Sequence, residues 1–142
     1  MDNPIINDEV KKDLRKSFES LENPVTISVF TKDGVNDQYN RIAIQLITEV
    51  AAVDDRINAD FHSIGGKESQ EHGVQRSPTI LIAPDRYRIR FTGTPLGEEG
   101  RTLVMSIILA SSSKVNVLSP ESTKRLHELK EKRQARVFVS PT

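Results

Sequence analysis

The chain has 142 residues, 36% hydrophobic and 5% aromatic, the size and make-up of one globular domain with a single core. Lysine plus arginine and aspartate plus glutamate number 20 each, so no basic surplus exists to neutralise a phosphate backbone, and nucleic acid is not an expected partner. Cysteine is absent, which removes disulfides, thiolate metal sites and thiol nucleophiles together.

Residues 7–21 place Val10, Leu14, Phe18 and Leu21 at helical spacing, with Asn7 or Asp8 as N-cap. Asn23-Pro24 stops that helix, and residues 25–31 (VTISVFT) are β-branched and almost continuously apolar, as in an interior strand covered on both faces. After a loop holding Asp33-Gly34, the residues Tyr39, Ile42, Ala43, Leu46, Ile47, Val50 and Ala51 trace one face of a helix over 37–52. Residues 56–64 alternate Ile57, Ala59 and Phe61 with polar residues, so strand, helix and strand form a right-handed parallel βαβ unit.

Residues 65–76 (GGKESQEHGVQR) read as a surface loop with at most a short helical turn. Residues 79–82 and 88–92, joined by Pro84-Asp85-Arg86, read as an antiparallel hairpin led by Pro78. A helix then starts at Glu98 and Glu99, whose charges favour its positive end, and finishes at 111–113. Ser119-Pro120-Glu121 opens a charged last helix that runs to Arg133, and residues 136–140 (RVFVS) read as one more strand. The expected fold class is α/β, with a four-stranded mixed sheet flanked by helices. The chain stops two residues after its closing strand, so residues 1–115 are expected as one fold, and 116–142 as a connecting helix with the first strand of a following fold.

Several constellations carry little chemistry. Asp54, Asp55, Asp60, His62 and His72 match no metal-ligand spacing, and strand alternation is expected to divide them, so no metal site is expected. The stretch Gly65-Gly66-Lys67-Glu68 lacks the first glycine and the Ser or Thr of a phosphate loop. No nucleophile elbow, paired-histidine zinc motif or dinucleotide fingerprint is present, and neither His62 nor His127 has a recognisable nucleophile beside it. Arg90, Glu98 and Glu99 fit either a partner-binding surface or a solvated strand end with acids on a helix start. No signal-peptide core or membrane span is present, so a cytoplasmic protein without membrane contact is expected.

The stretch Arg90-Phe91-Thr92-Gly93-Thr94-Pro95-Leu96-Gly97-Glu98-Glu99, followed by Leu103-Val104, resembles an R-F-x-G-x-P-x-G-x-E segment. That segment belongs to the N-terminal domain of the alkyl hydroperoxide reductase flavoprotein and to archaeal glutaredoxin-like protein disulfide oxidoreductases. The resemblance extends to Leu21-Glu22-Asn23-Pro24-Val25, to Ser77-Pro78-Thr79 and to the closing Val137-Phe138-Val139-Ser140-Pro141-Thr142. It implies a thioredoxin-like fold, the first of two in tandem, ending just before the Cys-Pro-x-Cys motif of the second.

By the same resemblance the Ser77-Pro78 bond is cis, and Ser77, Pro78 and Thr79 form the groove whose backbone pairs with an extended partner. A redox pair would lie between the first strand and its helix, where this chain has Lys32, Asp33, Gly34, Val35 and Asn36. With no thiols there, Asp33 or Asp37 is expected to cap the helix instead. Gly93 and Gly97 are expected to supply backbone conformations, beside Arg90, Phe91, Pro95 and Glu99 of the family motif.

The resemblance thus implies a non-catalytic domain of a larger disulfide oxidoreductase, active in cell redox homeostasis, that scaffolds an adjacent Cys-x-x-Cys fold. No cofactor is expected in this chain; FAD and NAD(P)H would belong to flavoprotein domains of the parent, and a peroxiredoxin or thioredoxin would lie downstream. The alternative is a freestanding peptide-binding module that uses the Ser77-Pro78 groove without chemistry. Self-association through the edge of strand 136–140 is compatible with either.

Overall fold

The computed structural model describes residues 3–113 and 117–140. The first helix, α1 (Asp8–Phe18), is opened by Asn7, whose side chain accepts the Val10 N–H at 2.9 Å. Strand β1 (Val25–Thr31) follows, then α2 (Asp37–Ala51), β2 (Ile57–Ser63), the short α3 (Lys67–Glu71), the hairpin strands β3 (Thr79–Ile82) and β4 (Ile89–Thr92), α4 (Glu98–Ser111) and α5 (Pro120–His127).

The four strands form one sheet in the order β2-β1-β3-β4. β1 runs parallel to β2, with Ile27 opposite Ala59, and antiparallel to β3, with Val29 opposite Ile80. β3 and β4 pair antiparallel, with Ile80 opposite Phe91.

Side chains alternate across a strand, and the two faces of this sheet are covered unequally. Val25, Ile27 and Val29 of β1 join Ile80 and Ile82 of β3 in the main core, which takes Leu14 and Phe18 from α1, Ala43, Leu46, Ile47 and Val50 from α2, and Leu103 and Ile107 from α4. On the other face Phe30 and Leu81 pack with Val74 and, at their margin, Ile64. β1 is thus covered on both sides, which is why its sequence is nearly continuously apolar.

Two expectations need correction. Residues 136–140 form no strand: they are exposed, with Val137 at 86% and Phe138 at 88%, and they pair with nothing in the sheet. A strand exists only with a partner ladder, so β-branched residues alone do not make one. The last helix ends at His127 rather than Arg133. No residue of α5 is buried, so no packing against the body is present to extend the helix through the charged segment that follows. The expected boundary at 115/116, and Pro141 and Thr142, lie outside the described residues. No helix among the described residues is long and apolar enough to cross a membrane.

Candidate functional site

The C-terminal end of β1 points into a corner made by the loop at residues 32–36, the start of α2 and the turn ahead of β3. The register sets this meeting. Phe30 lies opposite Thr79, so the residues that leave β1 run alongside those that enter β3. The Ser77–Pro78 peptide bond is cis, and Pro78 O accepts the Gly93 N–H at 2.9 Å. Thr79 Oγ1 donates to Arg76 O at 2.6 Å.

Ser77, 8% exposed, is the hub of the corner. Its Oγ accepts the Lys32 N–H at 2.7 Å and donates to Asn40 Oδ1 at 2.8 Å. Its carbonyl accepts from Asn36 Nδ2 at 2.8 Å. Asn40, buried in the first turn of α2, donates through Nδ2 to Val35 O at 2.8 Å and Lys32 O at 3.1 Å. A buried polar group needs such partners, because its water is lost on folding.

The sequence pattern alone did not single out Asn40. The signal was present: it shares a helical face with the buried Ala43, Ile47 and Val50, and a polar residue on an apolar face marks a buried hydrogen-bonding role.

Neither expected aspartate caps α2. Asn36 holds the N-cap position, at φ 57 and ψ 36, with no side-chain capping bond. Asp37 is already the first helical residue, and its Oδ1 accepts the Gly34 N–H inside the loop at 2.8 Å. Asp33 lies three residues ahead of the N-cap. Position is the reason for both aspartates, since Asp33 falls short of the N-cap and Asp37 lies past it, while the Asn36 side chain reaches across to Ser77 instead of back to its own helix.

The segment at residues 90–99 closes the corner from the β4 side. Gly93, at φ 106, turns the chain so that its N–H reaches Pro78 O. Thr94 Oγ1 donates to Tyr39 O on α2 at 3.0 Å, and Pro95 is buried. Gly97 precedes α4 at φ 62. Added Cβ atoms at Gly93 and Gly97 would meet nothing within 4 Å, so backbone conformation, not crowding, is what favours glycine there. Phe91 packs half-buried on the main core, while Glu99 is half-buried in the first turn of α4. Arg90 is engaged within the chain, donating to His72 O at 2.5 Å and Gly73 O at 3.1 Å.

The second face of the sheet carries a shallow cleft of about 330 Å³ lined by Phe30, Asp60, His62, Glu68, His72 and Asp85 among others. Asp60 and His62 share a face rather than being divided, as residues two apart on a strand do. His62 stacks on Phe30 with ring centroids 5.1 Å apart, and its Nε2 lies 3.1 Å from Asp60 Oδ1. Among the described residues no group of three or more such side chains is placed to hold a metal ion.

Two carboxylates away from the corner have shifted acidities. The Arg56 side chain hydrogen-bonds Asp54 and holds its carboxyl down at about 2, against the opposing pull of burial. Burial pushes the Glu49 carboxyl up, but hydrogen bonds from the Ile6 N–H, Gln45 and the Ile5 N–H, with the Lys11 charge, outweigh it and leave the group below its ordinary value. Both are anchors: Glu49 holds the chain ahead of α1, and Arg56 also donates to Phe18 O and Leu21 O.

No protein-family model matches the chain, and no curated protein matches it in sequence. Solved structures do match. The alkylhydroperoxide reductase AhpF of Enterococcus faecalis V583, solved as a point mutant, is 21% identical, with a TM-score of 0.74 over 87% of this chain and 60% of that one. A protein disulfide oxidoreductase from Aeropyrum pernix K1 is 22% identical, with a TM-score of 0.76 over 88% of this chain and 56% of that one.

The fold is thioredoxin-like. The NTD_N/C domain of the same Enterococcus AhpF agrees at 22% identity, with a TM-score of 0.72 over 84% of this chain and 59% of that one. The thioredoxin-like chain therefore spans between 56% and 60% of the length of these structures. In this thioredoxin-like fold the corner at residues 32–40 and 77–79 holds amide, hydroxyl, carboxylate and ammonium groups and no sulfur.

Proposed function

We propose that the chain is a thioredoxin-fold domain with no thiol chemistry of its own, which positions an adjacent Cys-x-x-Cys fold in a larger disulfide oxidoreductase of the hydroperoxide reductase or thioredoxin reductase type. The observation that carries this reading is the corner itself. A thiol–disulfide carrier works through a thiolate, which a helix N-terminus stabilises. Here the residue ahead of α2 is Asn36, and the nearby side chains are bonded to one another.

The exposed apolar residues of the C-terminal arm support a neighbouring fold. Leu118, Leu126, Leu129, Val137, Phe138 and Val139 are all exposed, and an amphipathic segment of this kind is stabilised by a surface to cover it. In this reading FAD and NAD(P)H sit on flavoprotein domains of the parent, since this chain has no glycine spacing to cradle a dinucleotide. Electrons pass from the neighbouring dithiol to a peroxiredoxin or thioredoxin, in the cytoplasm.

The rival is a freestanding module that binds peptides or proteins at the Ser77–Pro78 groove. Intact-mass measurement and sequencing of the natural polypeptide separate the two. The scaffold reading expects the polypeptide to continue past Thr142 into a Cys-x-x-Cys segment; a natural polypeptide ending at Thr142 contradicts it.

A further inference from the structure

On the second face of the sheet, Ser28 of β1 stands in register between Asp60 of β2 and Leu81 of β3. It is 3% exposed and lines the cleft of about 330 Å³, yet among the described residues its hydroxyl has no hydrogen-bond partner. Beside it, the Asp60 carboxylate keeps one buried oxygen, Oδ1, without a hydrogen bond. His62 Nε2 comes within 3.1 Å of that atom but does not donate to it. Polar groups that lose water and gain no partner are costly. Here two of them stand side by side on neighbouring strands and face the same cleft.

The rest of the cleft decides which ligand suits them. Glu68 and Asp85 add carboxylates to the lining, and no lysine or arginine lines it. Asp85 is already met by Arg86 Nε at 3.6 Å, whereas among the described residues Glu68 forms no ion pair. The cleft is therefore acidic, and both Ser28 Oγ and Asp60 Oδ1 accept N–H bonds. A bare metal ion is poorly served, because among the described residues no three metal-ligating side chains converge. An ammonium group with its three N–H donors is well served, and the volume, at the lower end of the range for small-molecule sites, admits the carbon chain that joins two such groups. We propose that this cleft is a binding site for a small linear polyamine, with one ammonium on Ser28 Oγ and Asp60 Oδ1 and another facing Glu68. The inference rests on the second face of the sheet and not on the scaffold role, so the length of the natural polypeptide has no bearing on it.

The probe is spermidine, titrated into the full chain at about 0.15 M salt, where diffuse surface attraction is screened, and followed through the backbone amide resonances. Saturable binding with a Kd at or below about 1 mM is expected, with the largest shifts at Ser28, Asp60 and Glu68. Asp60→Asn should weaken it at least about tenfold, as for a charged acceptor lost, while Glu121→Gln on the exposed α5 should leave it unchanged. Ser28→Ala should weaken binding about threefold and leave the melting temperature of the unbound chain no lower, because the deleted hydroxyl orphans no partner. Either variant suffices if the other does not fold, and the shifts of the unaltered chain need neither. No saturation by about 10 mM spermidine overturns the site. So do shifts spread over the surface acids with the folded variants binding like the unaltered chain, and so does magnesium chloride giving the same saturable shifts at the same concentration, since the cleft would then answer to charge alone.

Discussion

The corner at the end of β1 and the C-terminal arm treat their side chains in opposite ways. In the corner Ser77 and Asn40 are buried, and both side chains find partners within the chain, at 2.7 to 3.1 Å. In the arm, residues 117–140, seven large apolar side chains stand between 46% and 88% exposed, and α5 buries nothing. The corner is complete in itself, whereas the arm presents apolar surface with no cover from its own fold.

The largest expected effect tests the corner. Asn40→Ala removes a buried side chain that serves Lys32 O, Val35 O and Ser77 Oγ, and should lower the unfolding free energy by about 3 kcal/mol, since each orphaned group costs ~1 kcal/mol or more. Urea denaturation measures it, and a loss below about 1 kcal/mol would mean that the corner is not the self-sufficient region described.

A smaller effect comes from the other end of β1, where Arg56 ties the Asp54 loop to Phe18 O and Leu21 O. The Asp54 carboxyl titrates near 2 in the folded chain against an ordinary value of 3.8. Its folded value is depressed, so its contribution is present above about pH 4 and is lost as pH falls toward 2. With Arg56 partly solvated, that contribution is about 1 kcal/mol after screening. Denaturation between pH 5 and pH 2 should therefore fall less steeply for Asp54→Asn than for the unaltered chain; parallel curves would remove the pairing as a cause.

The smallest effect belongs to the arm. Phe138→Ser should change the unfolding free energy by no more than about 0.5 kcal/mol, as for a surface position without partners. A loss of about 2 kcal/mol would show that the arm packs on the body, and would erase the contrast between the two regions.

Local pattern and long-range contact account for what the sequence disclosed. The apolar run of β1, the periodic face of α2 and the Pro78-led hairpin follow from neighbours in sequence, so the thioredoxin-like arrangement was readable. The Asn36–Ser77 bond was not, because it joins residues 41 apart through a side chain whose local preference is to cap its own helix. Asn40 was legible as a polar interruption of an apolar face, though nothing in its immediate neighbours named its partners. Residues 136–140 mislead for the complementary reason: Val137, Phe138 and Val139 suit a strand, but propensity supplies no partner to pair with.

Under the proposed function, this thioredoxin-like fold has the shape without the dithiol reaction. A disulfide-reduction assay on the purified chain, with insulin as substrate and dithiothreitol as reductant, tests it most directly. The account predicts a rate equal to that of dithiothreitol alone at every protein concentration; a rate that rises in proportion to added chain would contradict it.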